Sequence, residues 1–446
     1  LLSATLPQRR SDRLIAEYLG ENRQTEVDER GSSVLPYPLI TAVSKSGRVV
    51  RKRVDGQGRE RRVRVVPHYG LLNDPDGTAD LAVKLAGEQG CICVVANTVA
   101  SAQQIYQSLR SRYPEVEALL FHARFLAKDR QRIEETVVKL FGKASLKEPT
   151  EQGWHPRPKR MILVATQVVE QSLDLDFDLM ISEIAPIDLL LQRIGRLHRH
   201  QRPGRPISAE EIHVLLPAGG SFEFGATERV YGRYLLMGTC KVLNETWSLP
   251  DDFRRLIESV YGDLDLDLLD AQQGEWESAE AQMQREIDRQ EREAKKYLIP
   301  DPAQNAFKLA RMVEREHDEV AFFDENDADV SGYVHAKTRY GDDSMRVAMV
   351  DAAVWEPLSR LKSPPSREVL EELLLYTVNV PRHWFSEVTK KEPYPDLQPA
   401  PRWLHVEMVV PLLGNRWEGR RGPEEVVVEV DDVLGVRKIE KGEWAG

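Results

Sequence analysis

The densest chemistry in the chain lies in Gln192-Arg193-Ile194-Gly195-Arg196-Leu197-His198-Arg199, whose core reads Q-x-x-G-R-x-x-R. Hydrolysing a nucleoside triphosphate places negative charge on the transferring phosphoryl oxygens, and forked guanidinium groups stabilise such charge well. Arg196 and Arg199, with Gln192 beside them, are therefore candidates for the catalytic wall of a nucleotide site. If the helix-like stretch Ile187–Leu191 continues, spacings of four and seven place Gln192, Arg196 and Arg199 on one helical face. Gly195 lets that helix approach a neighbouring surface closely. The competing reading is a basic solvated helix, and it loses ground because further motifs accompany this one.

Ala165–Asp174 follows the apolar run Met161–Val164. Open parallel sheets bind ligands beyond the carboxyl ends of their strands. Thr166, Gln167 and the amides around them can hold a nucleic-acid phosphate without reading sequence, and Thr166 can equally cap a helix. Asp174 is placed either to face a nucleotide ribose or to orient a catalytic arginine. In Leu2-Ser3-Ala4-Thr5-Leu6-Pro7, the hydroxyls of Ser3 and Thr5 can link a phosphate-sensing site to a strand-binding one. In Phe121-His122-Ala123-Arg124-Phe125, with Asp129-Arg130, either arginine can contact a phosphate and His122 or Phe125 can stack on a base. A buried structural role suits His122 at least as well.

Positioning these groups calls for a layered scaffold. Short apolar runs at 91–96, 117–121, 161–165, 179–182 and 212–216 alternate with helix-like segments, notably 100–112 and 125–141. That alternation predicts an α/β fold with a parallel sheet covered on both faces. Gly142, Pro149, Gly153, Pro156 and Pro158 mark a loop between two of these elements. Ahead of them, Asp55-Gly56 between Val49–Val54 and Arg59–Val66 predicts an Arg-rich hairpin. It reads as a solvated edge in preference to a nucleic-acid path. Residues 274–296 form an exposed charged helix or linker, and 366–446 a small mixed domain.

A length of 446 residues allows roughly two to four domains, and 41% hydrophobic with 30% charged residues is ordinary for a globular protein. No apolar run of about 18 residues predicts a membrane span. The first five residues show no signal-peptide pattern, and their position inside a motif reads as the start of a fragment. A net charge of −11 argues against indiscriminate coating of nucleic acid, although basic residues cluster at Arg48–Arg64 and Arg193–Arg205. Three cysteines without metal spacing (Cys91, Cys93, Cys240) fit buried thiols in a reducing, cytoplasmic setting.

Taken in order, Ser3–Thr5, Asn97-Thr98, His122–Phe125, Thr166–Asp174 and Gln192–Arg199 resemble the type I CRISPR-associated helicase–nucleases of the DExH-type superfamily 2. Ser3–Thr5 is similar to helicase motif III, Asn97-Thr98 to IV, Thr166–Asp174 to V and Gln192–Arg199 to VI. Tyr37-Pro38, Val230-Tyr231 and Leu249-Pro250 also fit, and the likeness covers residues 1–262 well. It implies the end of a first RecA-like domain at 1–30, a second RecA-like helicase domain at 31–240, a helical linker at 241–365 and an accessory domain at 366–446. It further implies single-stranded DNA contacts at Asn97, Thr98, His122, Arg124, Thr166 and Gln167, and coupling by Ser3 and Thr5. One wall of an ATP site follows from Asp174, Gln192, Arg196 and Arg199. The whole protein is expected to be recruited by a crRNA-guided surveillance complex and to pull DNA 3′ to 5′ while a nuclease degrades it.

This sequence departs from the family where it lacks G-x-x-x-x-G-K-[ST] and Asp-Glu-x-His. The phosphate loop, the Mg2+ ligands and the nuclease's transition-metal site are thus expected in a missing N-terminal half, with the fragment inactive alone. His317-Asp318 reads as a surface pair. Two other readings stay open: a different superfamily 2 helicase acting on DNA or RNA, and a non-catalytic module that binds DNA or a partner.

Overall fold

The computed structural model describes residues 6–19, 26–27, 37–44, 47–54, 60–146, 157–170, 173–219, 221–243, 246–262, 273–295 and 344–439. Ser3, Thr5, His317-Asp318 and, within the expected linker, residues 244–245, 263–272 and 296–343 lie outside them. The chain divides into two compact units, one of Leu1–His122 with Glu135–Met283, the other of Ala123–Glu134 with Gln284–Gly446.

The first unit opens with α1 (Gln8–Leu19) and a small sheet of β1 (Glu26–Val27), β2 (Leu39–Val43) and β3 (Arg48–Arg53), ordered β1-β3-β2. There follow β4 (Arg61–Tyr69), α2 (Pro75–Ala86), β5 (Gly90–Val95), α3 (Val99–Arg112), β6 (Ala118–Phe121) and α4 (Ala127–Phe141), which crosses the boundary between units. Next come β7 (Arg160–Ala165), β8 (Leu179–Glu183), α5 (Ile187–Ile194), β9 (Glu211–Leu216), α6 (Ala226–Tyr231), α7 (Arg233–Cys240), β10 (Thr246–Leu249), α8 (Phe253–Tyr261) and α9 (Gln273–Lys295), which belongs to this unit as far as Met283.

Seven of these strands form one sheet, ordered β10-β4-β9-β8-β5-β7-β6. All its pairings are parallel except that of β10 with β4. The Cys-Ile-Cys-Val-Val run is buried at every position of β5 because helices cover the sheet, which removes the alternation an exposed strand needs. Helices start where the sequence supplies caps: Asp74 accepts from the Gly77 amide ahead of α2, and Thr98 from the Ser101 amide ahead of α3. Burial raises the Cys91 thiol to about 11 and Cys93 further, which makes both poor nucleophiles.

Two expectations fail here for physical reasons. The Arg-rich hairpin does not form: β3 pairs with β1 and β2, while β4 pairs with β9 and β10. Val63 and Val65 are buried, and their alternation draws β4 into the large sheet. Nor does the sheet end at 240, since β10 adds an antiparallel edge strand beyond that point. The Trp247 side chain is fully buried and donates to the Val242 carbonyl at 3.2 Å.

The second unit contains β11 (Ser344–Asp351), α10 (Ala352–Ser359), α11 (Arg367–Leu374), β12 (Thr377–Pro381), β13 (Val388–Lys390), β14 (Gln398–Pro399), β15 (Met408–Leu412), β16 (Arg416–Arg421), β17 (Glu424–Asp431) and β18 (Gly435–Ile439). One sheet is ordered β12-β11-β15-β14 and the other β13-β16-β17-β18. Met345, Val347, Met349 and Val410 share a core with Trp417, Val426 and Val428 of the second sheet. Ala348, Val350 and Val409, pointing the other way, pack with Trp355 and Leu373 of the helices. Alternation thus gives the first sheet two buried faces. This unit is already under way at Ser344, ahead of the boundary expected at 366, because β11 is a central strand of its sheet. Among the described residues no helix is long and apolar enough to cross a membrane.

Candidate functional site

The parallel strands bring two turns together. After β5 come Asn97 and Thr98; after its neighbour β7 come Thr166 and Gln167. Gln167 Nε2 donates to the Asn97 carbonyl at 2.8 Å, joining the turns directly. Thr98 caps α3 with its hydroxyl. Thr166 precedes a short 3-10 turn and makes no side-chain cap bond to it.

Asn97 differs from its expected role. Its amide donates to the Ile184 carbonyl at 2.7 Å and to Thr227 Oγ1 at 3.1 Å, while its oxygen accepts from Arg193 at 3.1 Å. The side chain is buried and fully engaged inside the unit, so it presents nothing to an incoming strand. His122 is also fully buried, which removes the open ring face that stacking on a base requires. Its neighbours from Ala123 onward belong to the second unit. There the Arg124 guanidinium lies 4.8 Å from the Trp384 ring centre, its carbonyl accepts from Val436, and Leu126 joins the core. Burial lowers the Arg124 pKa to about 10.

The helical face expected for Gln192, Arg196 and Arg199 does not form, because α5 ends at Ile194. A Cβ on Gly195 would meet the Gln192 carbonyl oxygen at 2.9 Å, so the chain turns tightly there. Beyond it, Phe177 N donates to the Arg196 carbonyl and His198 N to the Phe177 carbonyl, a strand-like bridge that replaces helical bonding. Gln192, half-buried, stays on α5, and the two arginines lie in the segment after it.

That segment places both arginines against the chain leading from β7 to β8. Arg196 Nε donates to the Val169 carbonyl at 3.0 Å and Nη2 to the Glu170 carbonyl at 2.8 Å. Burial, with Arg199 nearby, lowers the Arg196 pKa. Arg199 Nε meets Asp174 Oδ1 at 2.6 Å, their side chains 38% and 47% exposed. His200 Nε2 lies 3.1 Å from the same oxygen. Of the two roles open to Asp174, the geometry matches the orientation of an arginine.

The segment itself is anchored below by buried charge. Asp178, 1% exposed, accepts from the Cys91 amide at 2.9 Å and pairs with Arg205 at 2.8 Å and with Arg202. Asp176 accepts from Arg205 at 3.0 Å through both oxygens. Arg61 Nη2 reaches the Leu197 carbonyl at 2.6 Å and its Nε pairs with Glu210.

Sequence reasoning passed over the most connected side chain of the site. Arg193 is fully buried and uses its donors on five acceptors. Nε reaches Glu170 at 2.7 Å; Nη1 reaches Ser182 Oγ at 2.6 Å and the Glu183 carbonyl at 3.1 Å. Nη2 reaches Asn97 Oδ1 at 3.1 Å and the Tyr231 hydroxyl at 3.2 Å. Tyr231 also accepts from Gln167 Nε2 at 2.9 Å. Arg193 and Tyr231 both stood inside segments singled out earlier, and the available signal was an arginine at the apolar end of a helix. Glu183 is buried too, accepting from the Asn97 backbone N–H at 2.6 Å and from the Ser101 hydroxyl, and burial raises its pKa.

Residues 88–202, which hold Asn97, Thr98, Thr166, Gln167, Asp174, Arg193, Arg196 and Arg199, match the family model described as CRISPR-associated nuclease/helicase Cas3, C-terminal. The CRISPR-associated endonuclease/helicase Cas3 of Escherichia coli K12 is 31% identical over 422 residues, covering 88% of this chain. The chain belongs to the Cas3 family. The Cas3 of Thermus thermophilus is 34% identical over 307 residues, covering 58% of this chain. The crystal structure of T. fusca Cas3 with ATP is 27% identical with a TM-score of 0.71, covering 98% of this chain and 50% of that one. A CRISPR RNA-guided surveillance complex before nicking contains a chain with a TM-score of 0.66 at 27% identity, covering 98% of this chain and 53% of that one. The chain spans 41% and 31% of the two curated Cas3 relatives. The large parallel-dominated sheet matches the RecA-like helicase fold of the solved Cas3 structures.

Proposed function

We propose that this chain is the C-terminal helicase portion of an ATP-driven single-stranded DNA translocase that works with a nuclease in CRISPR defence. The observation that carries the reading is the Asp174–Arg199 pair beside Arg196, on the same unit as the turns that carry Thr98, Thr166 and Gln167. Two guanidinium forks held by fixed acceptors are preorganised for charge developing on a phosphoryl group. Arg199 is exposed enough to exchange part of its present contacts for phosphate oxygens, and Asp174 keeps its plane oriented.

The donor set fits one wall of an ATP site. Arg196, Arg199 and Gln192 supply cations and an amide for the triphosphate, but the chain has no phosphate-cradling G-x-x-x-x-G-K-[ST] loop. The Mg2+ ligands and the nuclease's transition-metal site come, in this reading, from residues outside this chain. Bound magnesium supplies charge neutralisation across the phosphates. Here Arg199 and Arg196 stabilise the leaving charge, while Thr166, Gln167 and the Thr98 turn hold the DNA backbone without base readout. Movement is assigned the 3′ to 5′ direction, with recruitment by a crRNA-guided surveillance complex at an opened duplex.

The test compares the chain alone with the full-length helicase that contains it, measuring ATP turnover with and without single-stranded DNA. Turnover is expected only from the full-length protein and rises with the strand. Hydrolysis by the chain alone would refute the divided site. Stimulation by a crRNA-guided surveillance complex on a target duplex separates this reading from that of a general superfamily 2 helicase.

A further inference from the structure

Arg196 meets the turn after β7 at the Val169 carbonyl. Arg193 adds a side-chain link that ties this turn to the turn after β5 and to Glu170. On one side, Gln167 donates to the Asn97 carbonyl and to the Tyr231 hydroxyl, at 2.8 and 2.9 Å. Tyr231 and Asn97 Oδ1 both accept from Arg193 Nη2. On the other side, Arg193 Nε holds the Glu170 carboxylate at 2.7 Å, and the carbonyl of that same Glu170 seats Arg196 Nη2 at 2.8 Å. Gln167 on the strand side and Arg196 on the phosphate side are thus linked through the side chains of Tyr231, Arg193 and Glu170 and one backbone carbonyl.

We infer that Arg193 and Tyr231 are positioning residues that transmit strand occupancy at the Thr166–Gln167 turn to the setting of Arg196. This inference rests on the translocase reading above. A guanidinium with five acceptors around it cannot yield one contact without moving as a rigid plane, so a shift at Asn97 or Tyr231 is felt at Glu170. Tyr231 is the adjustable member. It stands on a six-residue helix between Gly225 and Gly232, both at positive φ, and its hydroxyl is the one atom shared by Gln167 and Arg193.

Tyr231→Phe removes that shared oxygen and keeps the ring. In the full-length protein, ATP turnover is measured without DNA and with saturating single-stranded DNA, alongside strand affinity by fluorescence anisotropy. The expected result is a loss of about tenfold in DNA stimulation, the scale of a typical coupling between sites. DNA-free turnover and strand affinity stay within about twofold of wild type, below the range of a typical coupling. Arg193→Lys keeps the charge, loses the fork, and is expected to reproduce the uncoupling wherever it folds as judged by circular dichroism. Full stimulation in Tyr231→Phe overturns the inference, as does an equal fall in basal and stimulated turnover, which marks a merely structural role. A wild-type protein whose turnover does not respond to DNA overturns the translocase reading itself, a result distinct from either.

Discussion

Asp174 and Arg199 form a pair whose worth lies in orientation. With both side chains more than a third exposed, the ion pair adds little to stability. In the proposed reading it fixes the plane of a guanidinium that meets phosphoryl oxygens. Asp174→Asn keeps the shape and weakens the hold, so we expect steady-state ATP turnover of the full-length protein to fall by roughly tenfold with the melting temperature unchanged, on the scale of one preorganised electrostatic contact. Unaltered turnover would remove Asp174 from the account. At this scale the sequence was legible in part. Residue types and order bring Asp174, Arg196 and Arg199 forward as candidates, since phosphoryl chemistry restricts which side chains serve, and the structure sets Asp174 against Arg199. The burial of Asn97 is not legible because no local pattern marks burial of a polar side chain, its partners Ile184, Thr227 and Arg193 lying far along the chain; for His122 the structure matches the buried alternative that the sequence leaves open.

Among the elements, the segment following α5 matters most, because it is neither helix nor strand and yet carries both arginines. Its shape depends on Asp176 and Asp178, which lead into β8 and neutralise Arg202 and Arg205 beneath it. Asp178→Ala leaves two arginines and the Cys91 amide without that acceptor in a buried place. Breaking one partner of a buried charge network costs roughly 3–5 kcal/mol, and for a unit of this size lowers the thermal midpoint by on the order of 10 °C. Differential scanning calorimetry checks it; a shift of under about 2 °C would place the network outside the stabilising core. Continuous apolar runs announced β5, β7, β8 and β9 because covered parallel strands are buried on both faces. The end of α5 was not announced, since the pattern of Gln192, Arg196 and Arg199 satisfies a helix that Phe177 interrupts by pairing with Arg196 and His198. The hairpin expectation failed similarly: Asp55-Gly56 signals a turn, but the register of β4 is set by β9, far along the chain.

For the whole molecule, the limits of the sequence are those of long-range assembly. An alternation of strands and helices predicts a parallel sheet covered on both faces, the family resemblance makes it RecA-like, and the sheet is there. It does not predict that Ala123–Glu134 joins a unit built mainly from residues beyond 284, because that membership rests on Arg124 with Trp384, and on Leu126 in a core otherwise formed from residues 345–436. The account's central claim is that this chain supplies the arginine wall of an ATP site, while its affinity for the strand comes from the turns and not from those arginines. Its most direct test is Arg196→Ala in the full-length protein, with ATP turnover and single-stranded DNA affinity measured side by side. The account predicts a loss of turnover of at least about a thousandfold, the scale of removing a catalytic arginine, with strand affinity within about twofold of wild type. Normal turnover accompanied by lost binding would contradict it.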